Sequence, residues 1–368
     1  MNKDNEASER VASFEVRLTR FIDENGEALS ALPAFTQDAA ELRRMLHSMV
    51  VTRAFDQKAV ALQRTGQLGT YASCLGQEAV GTGVGLNLRH EDIYVPAYRE
   101  YAAQFLRGTP MHRVLQYWSG DERGSLVPQD CAAFHDFPYS VPIATHLTHA
   151  VGVAYAMKLR GQARVVLSSC GDGATSKGDF YEALNAAAVW QLPLVFLISN
   201  NQWAISVPRA NQSAAQTLAQ KAIAAGMDGE QVDGNDVIAV RYVLSEAIER
   251  ARSGHGPQLV EALTYRLHDH TTADDARRYR DQSEVDQAWS ACPIKRLTAF
   301  MQAAQNWSDD DQTTLAAEAA AEVAQAVERY LSLEPAPPDA MFEHLYAELP
   351  TALLDQRHAL QAQQGGSA

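Results

Sequence analysis

Short apolar runs rich in β-branched residues punctuate the middle of the chain, at Arg164–Ser169, Leu194–Ser199 and Leu259–Tyr265. Runs of that length bounded by polar residues predict strands buried on both faces. Around them, apolar positions recur at helical spacing over Lys177–Trp190, Thr217–Ala225 and Val237–Arg252. Strand and helix in alternation predict an α/β fold, a mostly parallel sheet with helices on both faces. Upstream, Leu42, Met45, Leu46, Met49, Val50, Ala54, Val60 and Leu62 trace one helix over Gln37–Gln63, closed by Gly66. Before it, Phe14, Val16 and Leu18 alternate, and Asp23-Glu24-Asn25-Gly26 predicts a turn. Past Glu284 the chain becomes rich in Ala and charge, with helices expected at Ile294–Gln305 and Asp310–Leu331, a break at Pro335-Ala336-Pro337-Pro338 and a last helix to about Ala362. The organisation expected is an N-terminal arm (1–35), a central α/β domain (36–285) and a helical C-terminal region (286–368).

Charge and cysteine usage narrow the partners. A formal net charge of −14 with no long basic run repels polyanions, which argues against nucleic acid and acidic membrane surfaces. No apolar run approaches a membrane span. Cys74, Cys131, Cys170 and Cys292 are scattered and form no CxxC pair, and Met1–Arg10 is polar and acidic, so a reducing cytoplasmic location is expected.

The chemistry concentrates after the first of the central strands. Cys170-Gly171-Asp172-Gly173-Ala174-Thr175 lies between a strand and a helix, at the carboxyl end where open α/β sheets bind ligands. The glycines let backbone N–H groups approach a diphosphate, and Asp172 offers a hard oxygen to a divalent cation. Ser176, with Asp179 after it, is expected to cap the following helix and turn its positive end to the phosphates. The next strand ends in Asn200-Asn201-Gln202-Trp203. Neighbouring parallel strands deliver their ends to one crevice, so Asn201 and Asp172 can share an ion. Gly81-Thr82-Gly83-Val84-Gly85 follows no β-rich strand and reads as helix packing, not as a dinucleotide fingerprint.

The stretch from Gly171-Asp172-Gly173 to Asn200-Asn201 resembles the thiamine-diphosphate motif of transketolase-like and 2-oxo acid dehydrogenase enzymes. From about Phe14 to Leu349 the chain resembles the alpha subunits of pyruvate and branched-chain 2-oxo acid dehydrogenases. Gly76-Gln77-Glu78-Ala79, Tyr98-Arg99-Glu100, Val232-Asp233-Gly234-Asn235-Asp236 and Tyr265-Arg266-Leu267-His268-Asp269-His270 stand in that family's order. The resemblance implies a thiamine-diphosphate-binding fold and two cofactors, thiamine diphosphate and Mg²⁺. It implies Asp172, Asn201 and the Trp203 carbonyl as metal ligands, with Gly171, Gly173, Ala174, Tyr98, Arg99 and Arg266 at the diphosphate. Val141 and Ile143 would cradle the aminopyrimidine, and His270 would be the catalytic histidine at the cofactor. Shortly after that cradle the family carries Gln where this chain has His146.

The implied reaction is oxidative decarboxylation of a 2-oxo acid with acyl transfer to a lipoyl acyltransferase, in an α₂β₂ heterotetramer whose beta subunit supplies the activating glutamate. The small-residue helix Thr148–Ala156 suits close contact within such an assembly. The motifs are mixed between substrates: pyruvate is expected first, a branched-chain 2-oxo acid second, and an acetoin-type reaction third.

Overall fold

The computed structural model describes residues 10–343 and 345–365. Residues 1–9 of the expected arm lie outside them. The strands are β1 (Leu18–Thr19), β2 (Ile93–Val95), β3 (Val166–Gly171), β4 (Leu194–Asn200), β5 (Trp203–Ala204), β6 (Val207–Pro208), β7 (Asp228–Asp233) and β8 (Gln258–Leu263). The helices are α1 (Ala39–Arg64), α2 (Glu78–Asn87), α3 (Tyr101–Leu106), α4 (Met111–Trp118), α5 (Thr145–Leu159), α6 (Gly178–Val189) and α7 (Arg209–Gln212). They continue as α8 (Lys221–Ala225), α9 (Val237–Arg252), α10 (Gln282–Ala288), α11 (Pro293–Ala304), α12 (Asp309–Leu331), α13 (Ala340–Glu343) and α14 (Thr351–Gly365). Among the described residues, no helix is long and apolar enough to cross a membrane.

Six strands form one sheet in the order β1-β7-β8-β4-β3-β2, every pair parallel. β4 lies in its middle with β3 beside it, in register from Val166 opposite Leu194 to Gly171 opposite Ser199. Their alternating side chains feed two cores. Val166, Cys170, Phe196 and Ile198 pack under α5, α6 and α8 on one face, while Leu167, Val195, Leu197 and Val260 pack under α2 and α9 on the other. The helices-on-both-faces expectation holds, and β3, β4 and β8 are buried along nearly their whole length because helices cover both faces there.

The Gly81–Gly85 run lies inside α2, in line with the helix-packing expectation. A Cβ at Gly83 would stand 2.5 Å from Val240 Cγ1, and one at Gly85 2.6 Å from Leu106 Cβ, so these glycines let α9 and α3 close onto α2. Helix α12 puts Ala319, Val323 and Val327 into a core with Val51, Phe55 and Leu62 of α1, so the C-terminal region is packed against the first long helix.

Several local expectations are corrected. The alternating Phe14-Val16-Leu18 stretch yields only the two-residue β1, because Phe14 is 69% exposed and only Leu18 and Thr19 have partners, Gln231 and Val232. The helix expected over Thr217–Ala225 begins at Lys221. Glu261 explains this, since its carboxylate accepts from the backbone N–H groups of Leu218 and Ala219 and holds them in a turn. Ser176 does not cap α6: a 3-10 turn spans Asp172–Ser176, and Lys177 occupies the N-cap without a side-chain bond.

Candidate functional site

The carboxyl ends of β3 and β4 open into a cavity of about 210 Å³. Its wall includes Gln77, Tyr98, Arg99, Glu100, Ile143, His146, the run Cys170–Ala174, Asn201, Trp203, Ile205 and His270. A groove of about 930 Å³ beside the Pro335–Pro338 segment is larger, but no strand-end residue lines it. Convergence of polar groups, more than volume, selects the smaller cavity.

Asp172 opens the 3-10 turn at the end of β3 and is buried. Burial raises its carboxyl to about 6, only partly opposed by a hydrogen bond from Gln212 Nε2 at 3.3 Å and by Arg266 and Arg99. A buried carboxylate so short of positive charge is suited to a divalent cation. Asn201, one residue past β4, accepts from Trp203 N–H through Oδ1 at 3.2 Å. Trp203 opens the small β5–β6 hairpin, whose turn puts Ile205 at φ 55°, a left-handed conformation that β-branched residues resist. Arg266 Nη2 donates to the Ile205 carbonyl at 2.9 Å and holds that strained turn in place.

The donor set fits the expected metal: one carboxylate, one amide oxygen and nearby backbone carbonyls are hard ligands of the kind Mg²⁺ takes when phosphates complete its shell. The two glycines differ. A Cβ on Gly173 would stand 2.7 Å from Ala204 Cβ, so glycine lets the 3-10 turn touch the hairpin. A Cβ on Gly171 would meet no protein atom within 4 Å, and Gly171 lines the cavity, leaving room there for a ligand.

Arg99 enters from the loop after β2. Its Nε donates to Ser73 O at 3.0 Å, its guanidinium lies over the Tyr98 ring, and Nη2 reaches both the carbonyl and Nδ1 of His270. Arg266 Nη1 lies 3.3 Å from the same Nδ1. An arginine only donates, so Nδ1 carries the lone pair and the neutral ring keeps its proton on Nε2. Burial, then Arg99 and Arg266, lower the His270 pKa to about 3. The loop bearing it is stitched by His270 N–H to Asp274 at 3.0 Å, Tyr279 O–H to Asp274, and Arg266 Nη2 to Tyr279 at 2.8 Å.

Behind Arg99, Asp56 is fully buried on α1 and accepts from Tyr71 O–H (2.9 Å), Ser73 O–H (2.6 Å) and Cys74 N–H (2.7 Å). It fixes the 71–74 segment that offers Ser73 O to Arg99. Glu100, also buried and with its carboxyl raised by burial, accepts from Ser199 O–H at 2.8 Å and Ser169 O–H at 3.2 Å, tying the Tyr98–Arg99 loop to β3 and β4. His146 donates through Nε2 to Ser169 O at 2.7 Å, and burial lowers its pKa.

Most residues singled out from the sequence therefore meet at one cavity. Two do not line it: Arg266 is fully buried behind the wall, and Val141 stands 53% exposed outside it. Sequence reasoning assigned no role to Gln77 or Glu100, although both belong to motifs it quoted. It passed over Asp56 altogether, whose signal is an acidic residue on the apolar side of α1.

Residues 46–337 match the family described as "Dehydrogenase E1 component". The 3-methyl-2-oxobutanoate dehydrogenase subunit alpha of Mycobacterium tuberculosis is 44% identical over 326 residues, covering 88% of this chain and 87% of the relative. The pyruvate dehydrogenase E1 component subunit alpha of Staphylococcus aureus is 36% identical over 342 residues, covering 92% and 91%. Its counterpart in Bacillus subtilis is 38% identical over 314 residues, covering 84% and 83%. With the strand-end cavity and these likenesses in agreement, the chain belongs to the dehydrogenase E1 component family, among the alpha subunits of 2-oxo acid dehydrogenases.

Proposed function

We propose that this chain is the thiamine-diphosphate- and Mg²⁺-binding alpha subunit of a cytoplasmic decarboxylating component that passes its acyl group to a lipoyl acyltransferase. The observation that carries this reading is the convergence of Asp172, Asn201 and Trp203 with Arg99 and His270 at the ends of two adjacent parallel strands. Asp172, Asn201 and the Trp203 carbonyl would hold Mg²⁺, and Tyr98, Arg99 and the Gly171–Ala174 backbone the diphosphate. The Val141 carbonyl and Ile143 would meet the aminopyrimidine. Thiamine diphosphate, when bound, supplies a carbon nucleophile and an electron sink for decarboxylation.

His270 presents its Nε2–H, because its Nδ1 faces two arginines, and would donate a hydrogen bond from it to the 2-oxo oxygen of the substrate. Arg266 acts on that ring and on the Ile205 turn from behind the wall. Incoming diphosphate charge offsets the arginines that lower the histidine's pKa, so ring and ligand titrate as a linked pair. For the substrate, the higher identity to the mycobacterial subunit favours 3-methyl-2-oxobutanoate. Pyruvate is the second reading, supported by the staphylococcal and bacillar relatives.

The assembly proposed is an α₂β₂ heterotetramer. Support comes from an apolar face on α5 and α6, where Tyr155 and Trp190 pack ring to ring at 4.9 Å while both stay exposed, with Leu159 and Val189 also exposed. The test is co-expression with the beta subunit and dye-linked decarboxylation of both acids, with thiamine diphosphate and Mg²⁺. A cofactor-dependent rate that Asp172→Ala abolishes is expected, faster on 3-methyl-2-oxobutanoate. No rate on either acid from a complex that holds the cofactor would refute the reading.

A further inference from the structure

Gln77 occupies the N-cap of α2, is 5% exposed and lines the cavity beside Asn201. Its orientation follows from a chain of donors and acceptors. The backbone N–H of Trp203 can only donate, so the atom of Asn201 at 3.2 Å from it is Oδ1. The other end of that amide is therefore Nδ2, which can only donate, and it lies 3.2 Å from Gln77. The accepting atom of Gln77 is then Oε1, and Nε2 is left over. Among the described residues Nε2 has no hydrogen-bond partner, although it is buried.

The turn that carries Gln77 is rigid. Gly76 sits at φ 90° and close enough to the Tyr265 carbonyl that a Cβ would come within 2.5 Å of it. Gly76 N–H donates to Glu78 at 3.1 Å, Thr264 O–H donates to the Gly76 carbonyl, and Arg53 pairs with Glu78 at 2.8 Å. A side chain fixed this firmly and still holding an unused buried donor beside a ligand cavity has a ligand to meet.

We infer that Gln77 is a positioning residue for the metal-ligating amide: its Oε1 fixes Asn201 so that Oδ1, not Nδ2, serves the divalent cation, while its Nε2 donates to an anionic oxygen of the ligand. This rests on the reading that the cavity holds a divalent cation and a diphosphate. Without Gln77 the Asn201 amide loses the acceptor for Nδ2 and can rotate, turning an N–H toward the cation. Residues that orient a ligand in this way change metal affinity by about 10–100-fold when removed.

The experiment uses the assembled alpha–beta complex and follows Mn²⁺ binding by electron paramagnetic resonance in the presence of thiamine diphosphate, with cofactor affinity measured separately by calorimetry. Gln77→Leu removes both roles and is expected to weaken Mn²⁺ about 10–100-fold. Gln77→Glu keeps the acceptor and the shape but replaces the donor with negative charge. It is expected to hold Mn²⁺ far better than Gln77→Leu while binding thiamine diphosphate more weakly than wild type. Mn²⁺ and cofactor binding unchanged in Gln77→Leu would overturn the inference, as would equal loss of Mn²⁺ in both variants. A wild-type complex that takes up no Mn²⁺ with thiamine diphosphate would overturn the underlying reading as well, so the two failures are distinct.

Discussion

Asp56 sits on α1, away from any expected ligand, and its replacement should nonetheless be felt at the cavity. Two of its three hydrogen bonds, from Tyr71 O–H and Cys74 N–H, end on Oδ1, and Oδ2 receives only the Ser73 hydroxyl. In Asp56→Ala, all three donors lose their acceptor in a buried interior. At about 1–3 kcal/mol for each buried group left unpaired, and with partial relaxation, the loss is about 3–5 kcal/mol. Asp56→Asn should behave differently. Its oxygen can keep both Oδ1 bonds, and its NH₂ can face Ser73, whose hydroxyl rotates to accept. The substitution also removes a charge that burial disfavours, as the raised Asp56 carboxyl shows. The expected cost is under about 1 kcal/mol. In a chain of this length about 2 °C of melting temperature corresponds to 1 kcal/mol, so Ala should melt roughly 6–10 °C lower and Asn within about 2 °C of wild type. Because the 71–74 segment holds Arg99 through Ser73 O and the His270 loop through the mutual bonds of Tyr71 and Thr272, the Ala variant should also bind thiamine diphosphate more weakly. Thermal unfolding and cofactor titration of the assembled complex check both. If Asn proves as damaging as Ala, the charge and not the acceptor geometry is what the fold requires, and the reasoning fails.

Two further predictions concern the wall itself. His270 has its pKa lowered to about 3 from an ordinary 6.5, so the folded chain binds fewer protons than the unfolded one between those values. Its contribution to stability is full above 6.5 and is lost as pH falls toward 3. His270→Gln should flatten that part of the melting-temperature profile, and an unchanged slope would refute the assignment. Gly173→Ala forces the 3-10 turn and the β5–β6 hairpin apart by roughly 1 Å, since apolar carbons rest about 3.5–4.0 Å from one another. Calorimetry should show weakened cofactor binding with little loss of melting temperature.

The long elements and the two strand ends were readable because their patterns are clear: β3 and β4 open on apolar runs and are buried almost throughout, and α1 is periodic over seven turns. β7 was not readable, because Asp228-Gly229-Glu230-Gln231-Val232-Asp233 has one apolar side chain and owes its strand to backbone pairing with β8 and β1. β2 was missed for its length, three residues before Pro96. Asp172, Asn201 and His270 could be found from motif order, since each ends or follows a recognisable strand. The parts contributed by Asp56, Glu100 and Gln77 depend on which atom faces which across the interior, and linear spacing carries no information about that.

The order of synthesis sets a condition on how this sheet is completed. β1 leaves the ribosome before the other strands, yet among the described residues its sheet partner is β7, with Leu18 opposite Gln231. At about 5–20 residues per second, the edge strand stays unpaired for about 10–40 s. The cavity wall likewise runs from Gln77 to His270, so a nascent chain has no part-formed site until the last central strand and its loop have emerged. Contacts so distant in sequence fold slowly, because the loops must close before pairing can stabilise them. Ligand binding is therefore a property acquired at the end of folding, and truncations before His270 should yield no weakened binder, only an unfinished sheet.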